Sequence, residues 1–278
     1  MPRVLIAGLG LIGGSIGIRL RASGWRVAFV DPQVSPEAAR GAEAADERWS
    51  TRDDGTYGTD GTNGSPPEGI SPIGPIGPIG PIVSPGPPPD LIILATPVDI
   101  AVRILRTLRT PATVTSVCSV MAPLRDAATT RFIAGHPMAG SQERGLAAAR
   151  ADLFENHRWF VDADDPLVDS MIDACGAIRD RVDAREHDAG VALTSHLPQI
   201  LSTALAAYLD EDQLRFAGSG LRTFLRLAGS DGSVWAPIVA ANREQLARHA
   251  EELAKLVRAI IDGDVAAYDQ ARKLYDAL

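Results

Sequence analysis

The feature that most constrains this chain is a glycine pattern set between an apolar run and a helical stretch. Arg3-Val-Leu-Ile-Ala7 is short and apolar almost throughout, the mark of a strand buried on both faces of a parallel sheet. Gly8-Leu-Gly-Leu-Ile-Gly13 follows, and Ser15 to Ala22 then carries apolar residues at helical spacing (Ile16, Leu20) before stopping at Ser23-Gly24. A second apolar run, Arg26-Val-Ala-Phe-Val30, ends at Asp31, 23 positions after Gly8. Strand, glycine turn, helix, strand and terminal acid make a βαβ unit. The spacing G-x-G-x-x-G is weak on its own, but in this setting it is what a dinucleotide site requires. Gly8, Gly10 and Gly13 allow a tight turn and close approach of the backbone to a pyrophosphate, whose charge rests on the helix N-terminus at Leu11 and Ile12. Asp31 would accept hydrogen bonds from the adenosine ribose and repel a 2'-phosphate. That predicts NAD rather than NADP.

The alternation continues. Asp90 to Ala95 reads as a strand, 97–108 as a helix, 112–117 as a strand, 121–129 as a helix, 131–134 and 159–161 as strands, and 166–178 as a helix. Between them the composition shifts: residues 66–89 carry 10 of the chain's 20 prolines, with Pro-Ile-Gly repeated from Pro72. Such a stretch builds no packed element, and about 50–89 is expected to be a mobile polyproline-like insert. Beyond Arg185 only helical spacing remains, over 191–209, 214–227, 234–261 and 265–278. The expectation is an α/β Rossmann-type dinucleotide-binding domain over 1–180 and an all-α domain over 181–278. Stretches such as Ile200 to Ala207 are apolar on more than one face, which predicts pairing with a second copy as a homodimer.

Charge and cysteine content narrow the function classes. A net charge of -8 argues against nucleic acid as a partner, since phosphate-binding surfaces concentrate Lys and Arg. No apolar run approaches the length of a membrane span, so no membrane partner is expected. Two cysteines, Cys118 and Cys175, make no disulfide framework, and no secretory leader is evident; a cytoplasmic location is expected.

Six segments together resemble the prephenate and arogenate dehydrogenase family of tyrosine biosynthesis. They are Gly8 to Ser15, Ala95-Thr-Pro-Val98, Gly135-His-Pro-Met-Ala-Gly-Ser141, Leu153-Phe-Glu-Asn156, His187-Asp188 with Ser195-His-Leu-Pro198, and Gly218 to Asp231 leading to Trp235 and Asn242-Arg-Glu244. The resemblance implies a dimer whose C-terminal helical domain mediates dimerisation, with Thr96 and Pro97 beside the cofactor. It also implies an oxidative decarboxylation, in which a cyclohexadienyl substrate gives a hydride to NAD and loses its ring carboxylate. Such chemistry needs a base for the C4 hydroxyl proton, and a neutral imidazole suits neutral pH. His136 is the candidate base, with Ser119 as hydrogen-bond partner of the same hydroxyl. Arg226 is the candidate carboxylate anchor, and Arg222, four residues earlier, would share its face on a helix. Gln142, His187, His196, Gln199 and Trp235 complete the candidate substrate residues. No third ligand accompanies the histidines, so no metal is expected.

The chain also departs from the family pattern. Ser116, Cys118 and Met121 stand where Asp, Gly and Lys are common, and Gln142, Gln199 and Thr223 where many relatives have Glu, His and Asp. An arogenate ammonium would gain from a carboxylate that prephenate does not need, so Gln142 favours a keto acid. The same departures fit a relative acting on 4-amino-4-deoxyprephenate. A non-catalytic dinucleotide-binding sensor and a hydroxyacid or imine reductase are the competing classes. The former does not account for His136, Ser119 and Arg226 together, nor the latter for His-Pro-Met-Ala-Gly. The family's frequent C-terminal regulatory domain has no counterpart before Leu278, so feedback through it is not expected.

Overall fold

The computed structural model describes residues 1–49, 87–141 and 143–277, so most of the Pro/Gly-rich insert and Gln142 lie outside the described residues. The chain divides into two compact units, Met1–His187 and Asp188–Leu278.

The first unit is built on a parallel sheet of β1 (Arg3–Ala7), β2 (Arg26–Val30), β3 (Glu47–Arg48), β4 (Leu91–Leu94), β5 (Thr113–Ser116) and β6 (Phe132–Ile133). Their order is β3-β2-β1-β4-β5-β6, with every adjacent pair parallel. Helices α1 (Leu11–Ala22), α2 (Pro36–Gly41), α3 (Val98–Thr107) and α4 (Ala122–Ala127) connect them. Every residue of β1 and β4 is buried, which explains why these strands are apolar runs rather than alternating ones; β5 (Thr-Val-Thr-Ser) is buried as well, although three of its four residues are polar. The Rossmann-like architecture follows, and its strand order reverses between β1 and β4, where ligands bind at the carboxyl ends of such sheets.

A second sheet was not expected. It joins β7 (Gly135–Pro137), β8 (Arg158–Val161) and β9 (Ile178–Arg181), with β7 antiparallel and β9 parallel to β8. The helix predicted over 166–178 is corrected accordingly: α5 (Pro166–Ala174) ends early, Gly176 takes φ +70°, and the chain enters β9. Asp165 starts α5 as its N-cap, accepting from the Leu167 and Val168 amides. Phe154 and Trp159 are fully buried with ring centroids 5.1 Å apart, within one core with the large sheet.

The second unit is helical. The first unit ends and the second begins within α6 (Ala184–Val191). A π-helical turn (Ala192–His196) follows, then α7 (Leu197–Tyr208), α8 (Ser219–Phe224), α9 (Gly232–Ala241), α10 (Arg243–Ile261) and α11 (Ala266–Tyr275). The expected helix over 214–227 is broken into pieces, with 3-10 turns at Glu211–Phe216 and Leu225–Gly229 flanking α8. The expected helix over 234–261 breaks at Asn242, where φ is -111° and ψ 23°. Its buried apolar cluster is small (Ala192, Leu197 and Leu246), while Tyr208, Phe216, Phe224, Ile261 and Leu274 stand exposed.

Candidate active site

The predicted residues of the first unit gather at the carboxyl ends of its strands. Gly8 follows β1, Asp31 follows β2, Thr96 and Pro97 follow β4, Ser119 follows β5, and His136 lies on β7 just after β6. The glycines divide by function. Gly8 has φ +93°, and a Cβ there would lie 2.5 Å from the Ala95 carbonyl oxygen; at Gly13 a Cβ would lie 2.0 Å from the Gly8 oxygen. Both positions are needed for packing of the turn. A Cβ at Gly10, by contrast, would meet no described atom within 4 Å, so this backbone faces open space.

That opening fits a pyrophosphate. Gly10 caps α1 without a side-chain acceptor, and the first turn of α1 holds no acidic residue to neutralise its amides. Asp31 is half-buried and already structural: Oδ2 accepts from the Leu9 amide at 2.8 Å and Oδ1 from the Gln33 amide at 2.8 Å. A carboxylate has about four lone-pair sites, so two remain for ribose hydroxyls. The residues present therefore suit a dinucleotide with an unphosphorylated ribose.

His136 is placed by long-range pairing rather than local propensity. It sits opposite Phe160 in the β7–β8 register. Just before it, Ala134 donates to Asp162 Oδ1 at 2.9 Å; Asp162 Oδ2 takes Arg125, whose Nη1 also holds the Phe132 carbonyl at 2.6 Å. Gly135 lets this turn close, since a Cβ there would lie 2.8 Å from the Ser116 oxygen. The half-buried His136 then brings Nδ1 to 3.0 Å from Nε2 of buried His187, with the rings edge to face. Phe160 packs edgewise on His187 with centroids 5.4 Å apart. Sequence reasoning placed His187 among the substrate residues and missed this pairing, because 51 positions separate the two rings.

Ser119 is half-buried in the loop after β5. Its neighbour Cys118 is buried, lies 3.5 Å from the Thr96 carbonyl oxygen, and has its thiol pushed up to about 12 chiefly by burial. It is a thiol at neutral pH and no nucleophile.

In the second unit, α7 anchors the turn that carries Arg226. Gln199 donates from Nε2 to the Leu227 carbonyl at 2.8 Å and to Thr203 Oγ1 at 3.2 Å. Ser202 donates to the Phe224 carbonyl at 2.8 Å and accepts from the Ala228 amide at 3.1 Å. Gln199 is thus buried scaffolding for this turn. Arg222 and Arg226 are both exposed, but the helix changes from α to 3-10 at Leu225, so the α-helical spacing that would stack them on one face is not kept. His196 is fully buried; Trp235 packs on it at 5.9 Å, and Asn242 Nδ2 lies 3.2 Å from its Nδ1. Among the described residues no group of three or more His, Cys, Asp or Glu is placed to hold a metal ion, and no helix is long and apolar enough to cross a membrane.

Comparison with known proteins identifies both domains. Residues 86–165 match the nucleotide-binding domain of prephenate dehydrogenase and residues 183–270 its dimerization domain. The prephenate dehydrogenase of Lactococcus lactis is 29% identical over 173 residues, covering 56% of this chain and 49% of that protein. That of Bacillus subtilis is 26% identical over 272 residues, covering 87% of this chain and 65% of that protein. The chain therefore spans about half to two thirds of the length of these relatives. Among solved structures, Aquifex aeolicus prephenate dehydrogenase in complex with hydroxyphenyl propionate and NAD+ has the same fold, with a TM-score of 0.74, 24% identity, and coverage of 100% of this chain and 98% of that one. With both domains of the family matched in order, the chain belongs to the prephenate and arogenate dehydrogenase family.

Proposed function

We propose that this chain catalyses the NAD-dependent oxidative decarboxylation of prephenate to 4-hydroxyphenylpyruvate. The observation that carries the reading is the His136–His187 pair, with His136 on β7 just after β6 of the large sheet, whose strands β1 and β2 lead into the open glycine turn and Asp31. NAD, when bound, supplies the hydride acceptor. Gly8, Gly10, Gly13 and the amides of Leu11 and Ile12 would hold its pyrophosphate, Asp31 its ribose, and Thr96 and Pro97 border the site from β4.

His136 accepts the C4 hydroxyl proton at Nε2 when its Nδ1–H donates to His187. His187 thereby fixes ring orientation and tautomer. Ser119 hydrogen-bonds the same hydroxyl. Arg226 holds a substrate carboxylate by charge-assisted hydrogen bonds, on a turn held by Gln199 and Ser202. Loss of carbon dioxide aromatises the ring and supplies the driving force, so the protein mainly positions and polarises. The exposed apolar side chains of the second unit and its small buried cluster support pairing with a second copy.

The test is NADH formation by the purified chain with prephenate, arogenate and 4-amino-4-deoxyprephenate in parallel. Prephenate is expected to turn over best, and His136→Asn to lower its turnover about 100-fold to 10,000-fold with little change in substrate affinity. No turnover of any of the three substrates, or near-normal turnover by His136→Asn, would refute the assignment.

A further inference from the structure

We infer that Asn242 is a positioning residue that holds His196 as its neutral Nε2–H tautomer, so that His196 serves as a fixed hydrogen-bond donor and cannot be the base. The part concerning the base rests on the function proposed above; the tautomer rests on geometry alone.

Asn242 Nδ2 lies 2.8 Å from the Asp188 carbonyl oxygen and 3.2 Å from His196 Nδ1. A carbonyl oxygen only accepts, so the amide must present its nitrogen there; the flipped amide would set oxygen against oxygen. The amide nitrogen carries two hydrogens. One serves Asp188, and the other faces His196 Nδ1, which must accept it. In a neutral imidazole whose Nδ1 accepts, the proton is on Nε2. Such a ring has no lone pair left to take a proton from substrate.

The contact is built into irregular backbone on both sides. His196 closes the π-helical turn, where the Leu197 amide bonds to the carbonyl of Ala192, five residues back. Asn242 is the break between α9 and α10, in the sparsely populated bridge region (φ -111°, ψ 23°). Turns of the π type are frequent at functional sites. Both side chains are buried, with His196 at 0% and Asn242 at 5% exposure, so water does not replace either partner. Trp235 packs edge to face on the ring at 80° and fixes its plane.

The experiment uses the full chain labelled with ring-15N histidine, whose five histidines can be assigned by single replacements. Long-range nitrogen–proton correlations at neutral pH are expected to give His196 a protonated Nε2 and a pyridine-type Nδ1. Asn242→Asp replaces the donor by an acceptor and should invert that pattern. Asn242→Ser should leave a mixture of tautomers, with kcat/KM for substrate lowered by about tenfold, the worth of roughly one oriented hydrogen bond. A wild-type proton on Nδ1 would overturn the inference without any variant having to fold. Unchanged Nε2–H in both variants, even with a lowered melting temperature, would overturn it too, since a merely structural role predicts that result. Mixed tautomers with undiminished kcat/KM would separate the tautomer from the reaction and defeat the functional half. A wild-type chain that shows the Nε2–H pattern but forms no NADH would refute the proposed function while leaving the tautomer assignment intact.

Discussion

Replacement of Asp31 tests two roles of one carboxylate, the amide contacts that the structure shows and the ribose contact proposed above. Its Oδ2 holds the Leu9 amide and its Oδ1 the Gln33 amide, each at 2.8 Å. Leu9 is fully buried, whereas Gln33 is exposed and rehydrates at little cost. Asp31→Ala therefore costs about 1 to 3 kcal/mol, nearly all from the stranded Leu9 amide. At roughly 2 to 4 °C per kcal/mol for a chain of this size, the melting temperature should fall by about 2 to 12 °C. Asp31→Asn keeps one carboxamide oxygen for Leu9 and should melt close to wild type. Both variants remove the negative charge that would repel a 2'-phosphate. Two unit charges about 4 Å apart interact by about 4 kcal/mol at an effective dielectric constant near 20, and solvent screening reduces this. The NAD over NADP preference in kcat/KM should then drop by about ten- to a hundredfold in both variants alike. Melts without cofactor and initial rates with each cofactor read the two effects separately. Unchanged preference in both variants would show that Asp31 does not face the ribose, and unchanged melting of Asp31→Ala would show that the Leu9 bond holds nothing.

Asp165 is buried, and burial pushes its carboxyl up, but the amides of Val168 and Leu167, the Thr113 hydroxyl and Arg131 outweigh this and leave it below its ordinary value. A depressed folded-state value stabilises above the unfolded one and is lost as pH falls through it, so wild type should lose melting temperature below about pH 4 more steeply than Asp165→Asn; parallel melting curves from pH 6 to pH 2 would contradict this. Replacing residues 57–86 by about eight Gly and Ser residues should change melting and turnover little: three strand spacings and one strand length separate the ends of β3 and β4, about 20 Å, and the remaining residues reach about twice that. Loss of folding or activity would make the insert a required part of the protein.

The strands β1, β2 and β4 were legible because a buried parallel strand is a continuous apolar run, and the glycine turn because its neighbours fix its context. The second sheet was not. β7 is Gly-His-Pro and β9 is Ile-Arg-Asp-Arg with three of its four residues exposed, so neither has a local pattern; each exists because it pairs with β8. The contacts that define the candidate site are equally non-local. His136 meets His187, and Asn242 meets His196 46 positions away. Spacing exposes which residues share a helix face, but not which rings meet across elements. Asn242 stood in the Asn-Arg-Glu motif and interrupted an otherwise helical apolar pattern, but neither signal named His196 as its partner.

The departures from the family pattern are not equivalent once their surroundings are known. Four of them, at Met121, Gln142, Gln199 and Thr223, replace residues that are charged or titratable in many relatives. Met121 is fully buried at the start of α4, where an apolar side chain belongs to the core. Gln199 is committed to the Leu227 carbonyl and Thr203, so it acts through the turn bearing Arg226. Thr223 donates to the Ser219 carbonyl within its own helix. Each of these three has a structural reason that is independent of substrate charge. The preference for a keto acid over an amino acid therefore rests on Gln142, which lies outside the described residues. Cys118 follows the same logic: a buried, protonated thiol beside the Thr96 carbonyl adds no charge there. In the proposed function, Gln199 therefore acts on how Arg226 is held, while Met121 and Thr223 serve the core and their own helix.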